Sequence, residues 1–255
     1  MSRKETAVTW VVLLAAFFGA WSVASATLPV PPYYLPPPTA VGAAFVDLMA
    51  KGILPVYVME SLGRILLAAV VALVVAVPLG LLLGMSRGVA DFMYPILNFF
   101  QSVSGIAWLP LMLVWFGFGE KTILIAVNYT VIFPVLFNAL LGVRSVPRIY
   151  VNALRTLGGS RWRIVRDVMI PGALPNIATG MRLGLAYGWR ALIAAEMLVG
   201  ANGLGFMIFS AQSFHLTARI MLGMAVIGAL WLLLDYFVLR PVEAATIARW
   251  GLVQR

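Results

Sequence analysis

The feature that most constrains this chain is a series of long apolar intervals separated by short polar ones. They are 7–26, 56–85, 95–118, 122–143, 176–199 and 220–239. Each is long enough to cross a membrane as an α-helix, which takes about 20 residues. Because lipid offers the backbone no hydrogen-bond partners, only helices and closed barrels cross it. With 62% hydrophobic and 11% charged residues, the sequence predicts an all-α membrane protein with about six transmembrane helices.

The first interval, 7–26, has two interpretations. Arg3 and Lys4 precede it, and the small residues at 24–26 resemble a cleavage site, so that a signal peptide is one interpretation. Its length also fits a transmembrane helix that is retained, which is the interpretation that we prefer. In either case the next segment, 28–54, begins on the outer, periplasmic side of the membrane.

This periplasmic segment divides into two parts. Residues 28–38 contain six prolines, which disfavour a helix and favour extended chain. In residues 39–54 the apolar side chains recur at helical spacing. We therefore predict a linker followed by a short amphipathic helix on the outer surface.

Glycines recur at spacings of four residues inside the apolar intervals. Small residues at this spacing allow two transmembrane helices to approach closely. The glycines at this spacing are Gly80, Gly84, Gly180, Gly184 and Gly188, and Gly63 is a further glycine inside an apolar interval. We predict that they lie at helix contacts.

The basic residues indicate how the helices are oriented. Cytoplasmic loops of membrane proteins carry more lysine and arginine than outer loops. With a cytoplasmic N-terminus, the inner side holds Arg3, Lys4, Arg87, Arg144, Arg148, Arg155, Arg161, Arg163, Arg166, Arg240, Arg249 and Arg255, and the outer side Lys51, Lys121 and Arg219. We therefore predict that both termini and the interval 144–175 are cytoplasmic. These loops explain the net charge of +9, with membrane lipid and not nucleic acid as the partner.

The interval 144–175 is the longest polar part of the chain and contains six arginines. Its pattern predicts a short helix, a break at Gly158, and a second helix that Ser160 caps and Pro171 ends. The second helix is partly apolar. It could therefore lie in the groove of a partner protein or on the anionic inner leaflet, and the physical pattern favours neither.

This interval resembles the cytoplasmic EAA loop of permease subunits of bacterial ABC importers. The loop has the pattern E-A-A, three residues, G, nine residues, I-x-L-P. The sequence matches at Ala153, Gly158 and Pro171, has apolar Val168 and Ile170, and departs at Asn152 and Leu154, where the family has Glu and Ala. Further segments resemble permeases of the nitrate, sulfonate and taurine group. They are 35–38, 61–64, 115–119, 133–134, 142–144, 194–196 and 203–205.

The resemblance implies a type I importer in the bacterial inner membrane. Two permease subunits, identical or paralogous, would form the pathway. Two cytoplasmic subunits would bind ATP and Mg, and a periplasmic solute-binding protein would deliver a sulfonate, taurine, nitrate or aromatic carboxylate. The residues expected to couple to the ATPase are Asn152, Ala153, Leu154, Gly158, Ser160, Val168, Ile170 and Pro171. No cofactor is expected in this chain.

Other classes of function have little support in the sequence. No G-x-x-x-x-G-K-S/T phosphate-binding loop occurs, so that ATP hydrolysis would be done by other subunits. Without cysteine, and with one histidine and scattered acids, the chain has no predicted catalytic or metal site. The main alternative is an autonomous secondary transporter or channel, which would need its own coupling-ion site.

Charged residues inside the apolar intervals are candidates for function, since each is costly in lipid. Arg64 and Glu196 are predicted at similar depth and could pair. Arg190 lies near the middle of its interval, and we expect it to face the pathway and attract an anion, unless it forms an ion pair buried between helices. Trp189 and Trp115 are candidates to line the same pathway. Arg182 is expected to reach the cytoplasmic surface.

Overall fold

The computed structural model describes residues 3–29, 31, 33–200 and 202–250. Every regular element among these residues is helical. The helices are α1 (Arg3–Thr27), α2 (Pro38–Ala50), α3 (Ile53–Met85), α4 (Arg87–Ser102), α5 (Leu109–Phe116), α6 (Glu120–Ser145), α7 (Arg148–Thr156), α8 (Arg161–Val199), α9 (Leu204–Ser213), α10 (Thr217–Leu234) and α11 (Arg240–Trp250). π-helical turns lie within α3 (Ala72–Ala76) and α8 (Val165–Met169), and a third (Asp235–Leu239) joins α10 to α11. Arg255, used above to predict the orientation, lies outside the described residues.

Membrane-spanning helices dominate the architecture. In the described part of the chain three helical segments are long and apolar enough to cross a membrane: α3, α6 and Thr217–Thr246. The number rises to five if each of two bent helix pairs counts as one span. In one pair, α4 and the segment Gly105–Phe116 meet at 78°, within the interval 95–118 that was predicted as a single helix. The predicted all-α membrane fold is therefore confirmed, with a sharp bend that periodicity did not indicate.

Helix α6 forms the centre of the bundle and packs against both α3 and α8 along much of its length. Its side chains Val127, Val131 and Val135 are completely buried. They belong to a core that also includes Ile65 of α3 and Leu192 of α8. These three helices form the scaffold that holds the polar sites described below.

Glycines allow α3 and α8 to lie very close to α6. A Cβ added at Gly80 of α3 would lie 2.5 Å from the Leu136 carbonyl oxygen of α6. A Cβ at Gly188 of α8 would overlap Cγ2 of Val131. The predicted packing role is thus confirmed for these positions, but it is wrong for Gly63, where no atom lies within 4 Å of an added Cβ.

Gly80→Ala is expected to destabilise the protein by about 1–3 kcal/mol, the usual cost of overpacking a core. The added methyl group meets a backbone oxygen, which cannot rotate away as a side chain can. The matched control is Gly63→Ala in the same helix, which should be neutral or slightly stabilising because alanine favours a helix. Thermal unfolding of both purified variants measures the difference, and equal midpoints would contradict the prediction.

The periplasmic segment predicted at 28–54 contains α2, close to the predicted helix. This helix packs into the bundle through Leu48, which is 2% exposed and lies against α9 and α10. On its outer side Asp47 pairs with Lys51 at 2.6 Å and with Arg219 at 3.4 Å. A hydrogen bond from Lys51 is the main cause that lowers the pKa of the Asp47 carboxyl. The helix is therefore part of the bundle and not only a surface element.

Candidate functional site

The coupling loop predicted at 144–175 consists of α7, a turn and the beginning of α8. Gly158 has φ +76°, a left-handed conformation that glycine adopts without strain, and it ends α7. The Ser160 side chain then accepts a hydrogen bond of 3.3 Å from the Arg163 N–H and caps α8, as predicted. This local sequence therefore folds as two short helical pieces joined by a sharp turn.

Pro171 does not end the second helix, so that this prediction was wrong. Helix α8 continues through Pro171 and extends from Arg161 to Val199. The five residues before Ile170 form a π-helical turn, in which the Ile170 N–H donates to the Val165 carbonyl. This wider turn accommodates a proline, which has no N–H to donate to the helix. The polar loop and the apolar interval after it are thus one helix.

The coupling loop exposes large apolar side chains among its arginines. Leu157 is 82% exposed, Ile149 70% and Trp162 69%. Of the predicted coupling residues, Asn152, Ala153, Gly158 and Ser160 are exposed and Leu154, Val168, Ile170 and Pro171 are partly buried. Exposed apolar groups of this size fit both alternatives given for this loop, a contact with a partner protein and a contact with the inner leaflet.

A polar groove of about 610 Å³ runs beside this loop. Its lining includes Arg87, Asp91, Arg144, Arg148, Asn152 and Arg155. An ion pair of 3.6 Å joins Arg144 to Asp91 of α4. The arginines of this groove were predicted on the same side of the membrane, whereas the position of α4 beside α7 is a feature of the tertiary fold.

A second cavity, of about 270 Å³, lies where α4 bends towards α5 and faces α6 and α8. Arg190 of α8 lines it with an exposed side chain, and its guanidinium lies 6.0 Å from the centre of the Tyr187 ring. Among the described residues no acid forms an ion pair with Arg190. The alternative of an ion pair buried between helices is therefore not what the structure shows.

The two tryptophans predicted to line the pathway do not line this cavity. Trp189 is only 4% exposed and packs in the core beside Trp231, with ring centres 6.3 Å apart. Successive helix residues project about 100° apart, so that the neighbour of Arg190 points elsewhere. Trp115 is 62% exposed at the end of α5 and contacts Phe116. The core position of Trp189 argues against the predicted pathway role, whereas the role of the exposed Trp115 stays a prediction.

Arg64 and Glu196 form an ion pair, with Nη1 and Oε1 2.6 Å apart. Glu196 is completely buried and also accepts hydrogen bonds from the Ser61 hydroxyl, at 2.8 Å, and from the Gly205 N–H, at 2.9 Å. The pair joins α3 to α8 and holds the loop that leads into α9. A Cβ at Gly203 would overlap the Glu196 carboxylate, which explains the glycine at this position.

Arg64 has more acidic partners than the sequence indicated. Its Nη2 lies 2.7 Å from Oε2 of Glu120, the first residue of α6, and 3.3 Å from Oε2 of Glu60. Glu120 is remote in sequence, so that only the tertiary fold brings it to this position. The network ties α3, α6 and α8 together at one end of the bundle.

Arg182, which was predicted to reach the cytoplasmic surface, is also held by acids, and its side chain is 33% exposed. Its Nε lies 2.7 Å from Oδ1 of Asp235, and its Nη1 lies 2.8 Å from Oε2 of Glu243. Arg240 binds the other oxygen of Asp235 at 2.7 Å. This second network ties α8 to α10 and α11. In the described part of the chain, no group of three His, Cys, Asp or Glu side chains could hold a metal ion.

Comparison with solved structures supports this fold. A chain of the MetNI methionine ABC transporter, in an inward-facing form, matches with a TM-score of 0.67 and 20% identity. The match covers 77% of the present chain and 97% of the other. At this identity the similarity concerns the fold alone.

Comparison of sequences identifies the family. The taurine transport system permease protein TauC of Escherichia coli is 37% identical over 242 residues, which are 92% of this chain and 86% of that protein. The nitrate import permease protein NrtB of Synechocystis sp. is 34% identical over 185 residues, or 72% of this chain and 67% of that protein. The model of a transport family matches residues 76–241, which include the coupling loop, the Arg190 cavity and, of the two ion-pair networks, Glu120, Glu196, Arg182, Asp235 and Arg240. The chain therefore belongs to the family of binding-protein-dependent transport system inner membrane components.

Proposed function

We propose that this chain is the permease subunit of an ATP-driven importer and forms the translocation pathway for a small anion. Membership of the transport family carries this proposal, and the relatives named for taurine and nitrate transport support an anionic solute. The exposed Arg190 in its cavity adds a cation without a competing acid among the described residues. A periplasmic binding protein would deliver the solute to this pathway.

The proposed topology places both termini and the 144–175 loop in the cytoplasm and the 28–54 segment in the periplasm. The distribution of arginine supports it, with Arg87, Arg144 and Arg148 lining one groove. Three of the six proposed spans lie in α3, α6 and α10 and a fourth in the long helix α8. The 95–118 interval and α1 would complete the six, the former as a bent pair.

The proposed partners are a second permease subunit, identical or paralogous, and two ATP-binding subunits that carry ATP and Mg. The exposed apolar side chains of the coupling loop, Ile149, Leu157 and Trp162, would contact the ATP-binding subunit. Contact with that subunit would remove these apolar side chains from water, which is favourable. The arginines around them would select an acidic surface on that partner.

Helix α8 offers a mechanical path from this contact to the cavity. It extends without a break from Arg161, in the coupling loop, to Val199, and it carries Arg190. At 1.5 Å per residue, the 29 residues from Arg161 to Arg190 span about 44 Å. When ATP draws the nucleotide subunits together, a rotation of the inner end of α8 would move the walls of the cavity as a rigid body.

A photocross-linking experiment tests the docking. Because the chain has no cysteine, Ser160→Cys gives a single thiol in the exposed turn, which can be labelled with a benzophenone. We expect a cross-link to the ATP-binding subunit in the assembled complex. Lys51→Cys, labelled in the same way on the proposed periplasmic side, is the control and should not cross-link to it.

The same preparation is tested for ATP-dependent uptake in proteoliposomes with the binding protein present. Uptake that continues without ATP would favour the alternative, an autonomous secondary transporter or channel. A competent complex in which the labelled Ser160→Cys variant gives no cross-link would overturn the proposed docking surface.

A further inference from the structure

The cavity beside Arg190 has the size and shape of a site for a small ligand. Its volume of about 270 Å³ lies just below the range of about 300–1,000 Å³ that is usual for drug-sized molecules. Its walls come from the bend before α5, from α6 and from α8. The bend is packed tightly onto α6, because a Cβ at Gly105 would overlap the Thr130 hydroxyl. The backbone of the bend is therefore held close to α6 at this wall of the cavity.

Four side chains in this cavity have hydrogen-bond donors that no described residue uses. They are the guanidinium of Arg190, the amide of Gln101 and the hydroxyls of Ser104 and Tyr187, all four exposed. The other two side-chain hydroxyls in the lining already donate to backbone carbonyls. Tyr129 donates to the Phe100 carbonyl, and Thr130 donates to the Ala126 carbonyl at 2.9 Å. The free donors, one of them cationic, match the oxygens of a sulfonate or carboxylate.

The rest of the lining is apolar or aromatic. Ile106, Phe133 and Pro134 line it together with the rings of Tyr129 and Tyr187. Among the described residues, no aspartate or glutamate lines the cavity. An ammonium group in this cavity would lose water, gain no carboxylate and lie near the like charge of Arg190.

We propose that this cavity binds a small monoanion with an apolar or aromatic tail and discriminates against one that also carries an amine. The inference rests on the proposed permease function and narrows its substrate class to alkyl and aryl sulfonates and carboxylates. Arg190, Gln101 and Ser104 bind the anionic end, and the aromatic wall binds the tail. The single cation sets the preference for one negative charge. Although the chain is similar to a taurine permease, we therefore expect the amine of taurine to weaken its binding in this cavity.

The test compares two sulfonates that differ by one ammonium group, ethanesulfonate and taurine, together with benzenesulfonate. Binding is measured by ligand-detected NMR on the permease–ATPase complex in nanodiscs without the binding protein, so that the selectivity of that protein is absent. Both the nucleotide-free complex and the complex with a non-hydrolysable ATP analogue are used. We expect ethanesulfonate to bind at least tenfold more tightly than taurine, and benzenesulfonate more tightly still.

Variants locate the site. Arg190→Gln should weaken benzenesulfonate binding at least tenfold, and Ser104→Ala should weaken it a few-fold. Arg219→Gln, which removes an arginine that pairs with α2 and does not line this cavity, is the control and should bind normally. Equal affinity for taurine and ethanesulfonate, unchanged binding by Arg190→Gln, or no binding in either nucleotide state would each overturn the proposal. ATP-dependent uptake by the unmodified importer is scored separately, so that failure of the permease function is distinguished from failure of this site.

Discussion

Glu196→Ala is expected to lower the free energy of unfolding by about 3–5 kcal/mol, the usual cost of removing one partner of a buried ion pair. Without this carboxylate, Arg64 loses its buried partner, and the Ser61 hydroxyl and Gly205 N–H lose their acceptor. Such orphaned groups cannot be solvated in the interior. We expect poor accumulation in the membrane and a thermal midpoint lowered by several degrees in detergent.

The matched control for this variant is Glu120→Ala, which removes another carboxylate from the same arginine. Glu120 is 53% exposed. When its carboxylate is removed, water can therefore solvate this side of Arg64 and offset part of the lost stabilisation. Exposed pairs contribute about 0–1 kcal/mol, and the midpoint should fall far less. Equal decreases in the thermal midpoint of the two variants would show that the burial of Glu196 does not determine its contribution to stability.

Leu157→Asp should reduce ATP-driven uptake at least tenfold while the permease remains folded. The leucine is 82% exposed at the turn between α7 and α8, so that the substitution costs the isolated subunit little. In the assembled importer proposed above, the same position is covered by the ATP-binding subunit. An unpaired charge buried at a protein interface typically costs about 2–5 kcal/mol of binding.

Two measurements separate the explanations for the Leu157 variant. Thermal unfolding of the purified permease should match that of the original protein, whereas copurification of the ATP-binding subunit should fall. Leu157→Met keeps the apolar contact and should retain most of the uptake. Normal uptake by Leu157→Asp would mean that this turn does not contact the ATPase.

The parts of the fold that could be predicted from sequence depend on interactions that are local in the chain. Apolar length predicted the helices, and the Ser160 cap and the Gly158 turn each involve neighbours within a few residues. The 78° bend between α4 and the segment Gly105–Phe116 could not be read in this way. It lies inside an apolar interval, and the close packing of Gly105 on Thr130 that accompanies it joins residues distant in sequence.

Of the residues at the candidate site, too, only those with a local signal in the sequence could be predicted. Sequence identified Arg190 as unusual because it is a cation within an apolar interval. It could not show that Gln101 and Ser104 line the same cavity, since both belong to the bend before α5. It assigned Trp189 to the pathway by adjacency, although the helix turns that ring into the core. Glu120 was missed because 56 residues separate it from its partner Arg64.

The continuity of α8 has a thermodynamic consequence. One helix carries the second part of the coupling loop, from Arg161 onwards, together with Arg190 and Glu196. A conformation that is favoured at one of these places is therefore also favoured at the others. Linkage requires the effect to be reciprocal: if ATP-bound partners change the affinity of the cavity by some factor, an occupied cavity changes the affinity for those partners by the same factor. We therefore expect anions that bind at Arg190 to change how tightly the ATP-binding subunits close. The helix that transmits movement from the ATP-binding subunits to the cavity would therefore also transmit the effect of a bound anion back to those subunits.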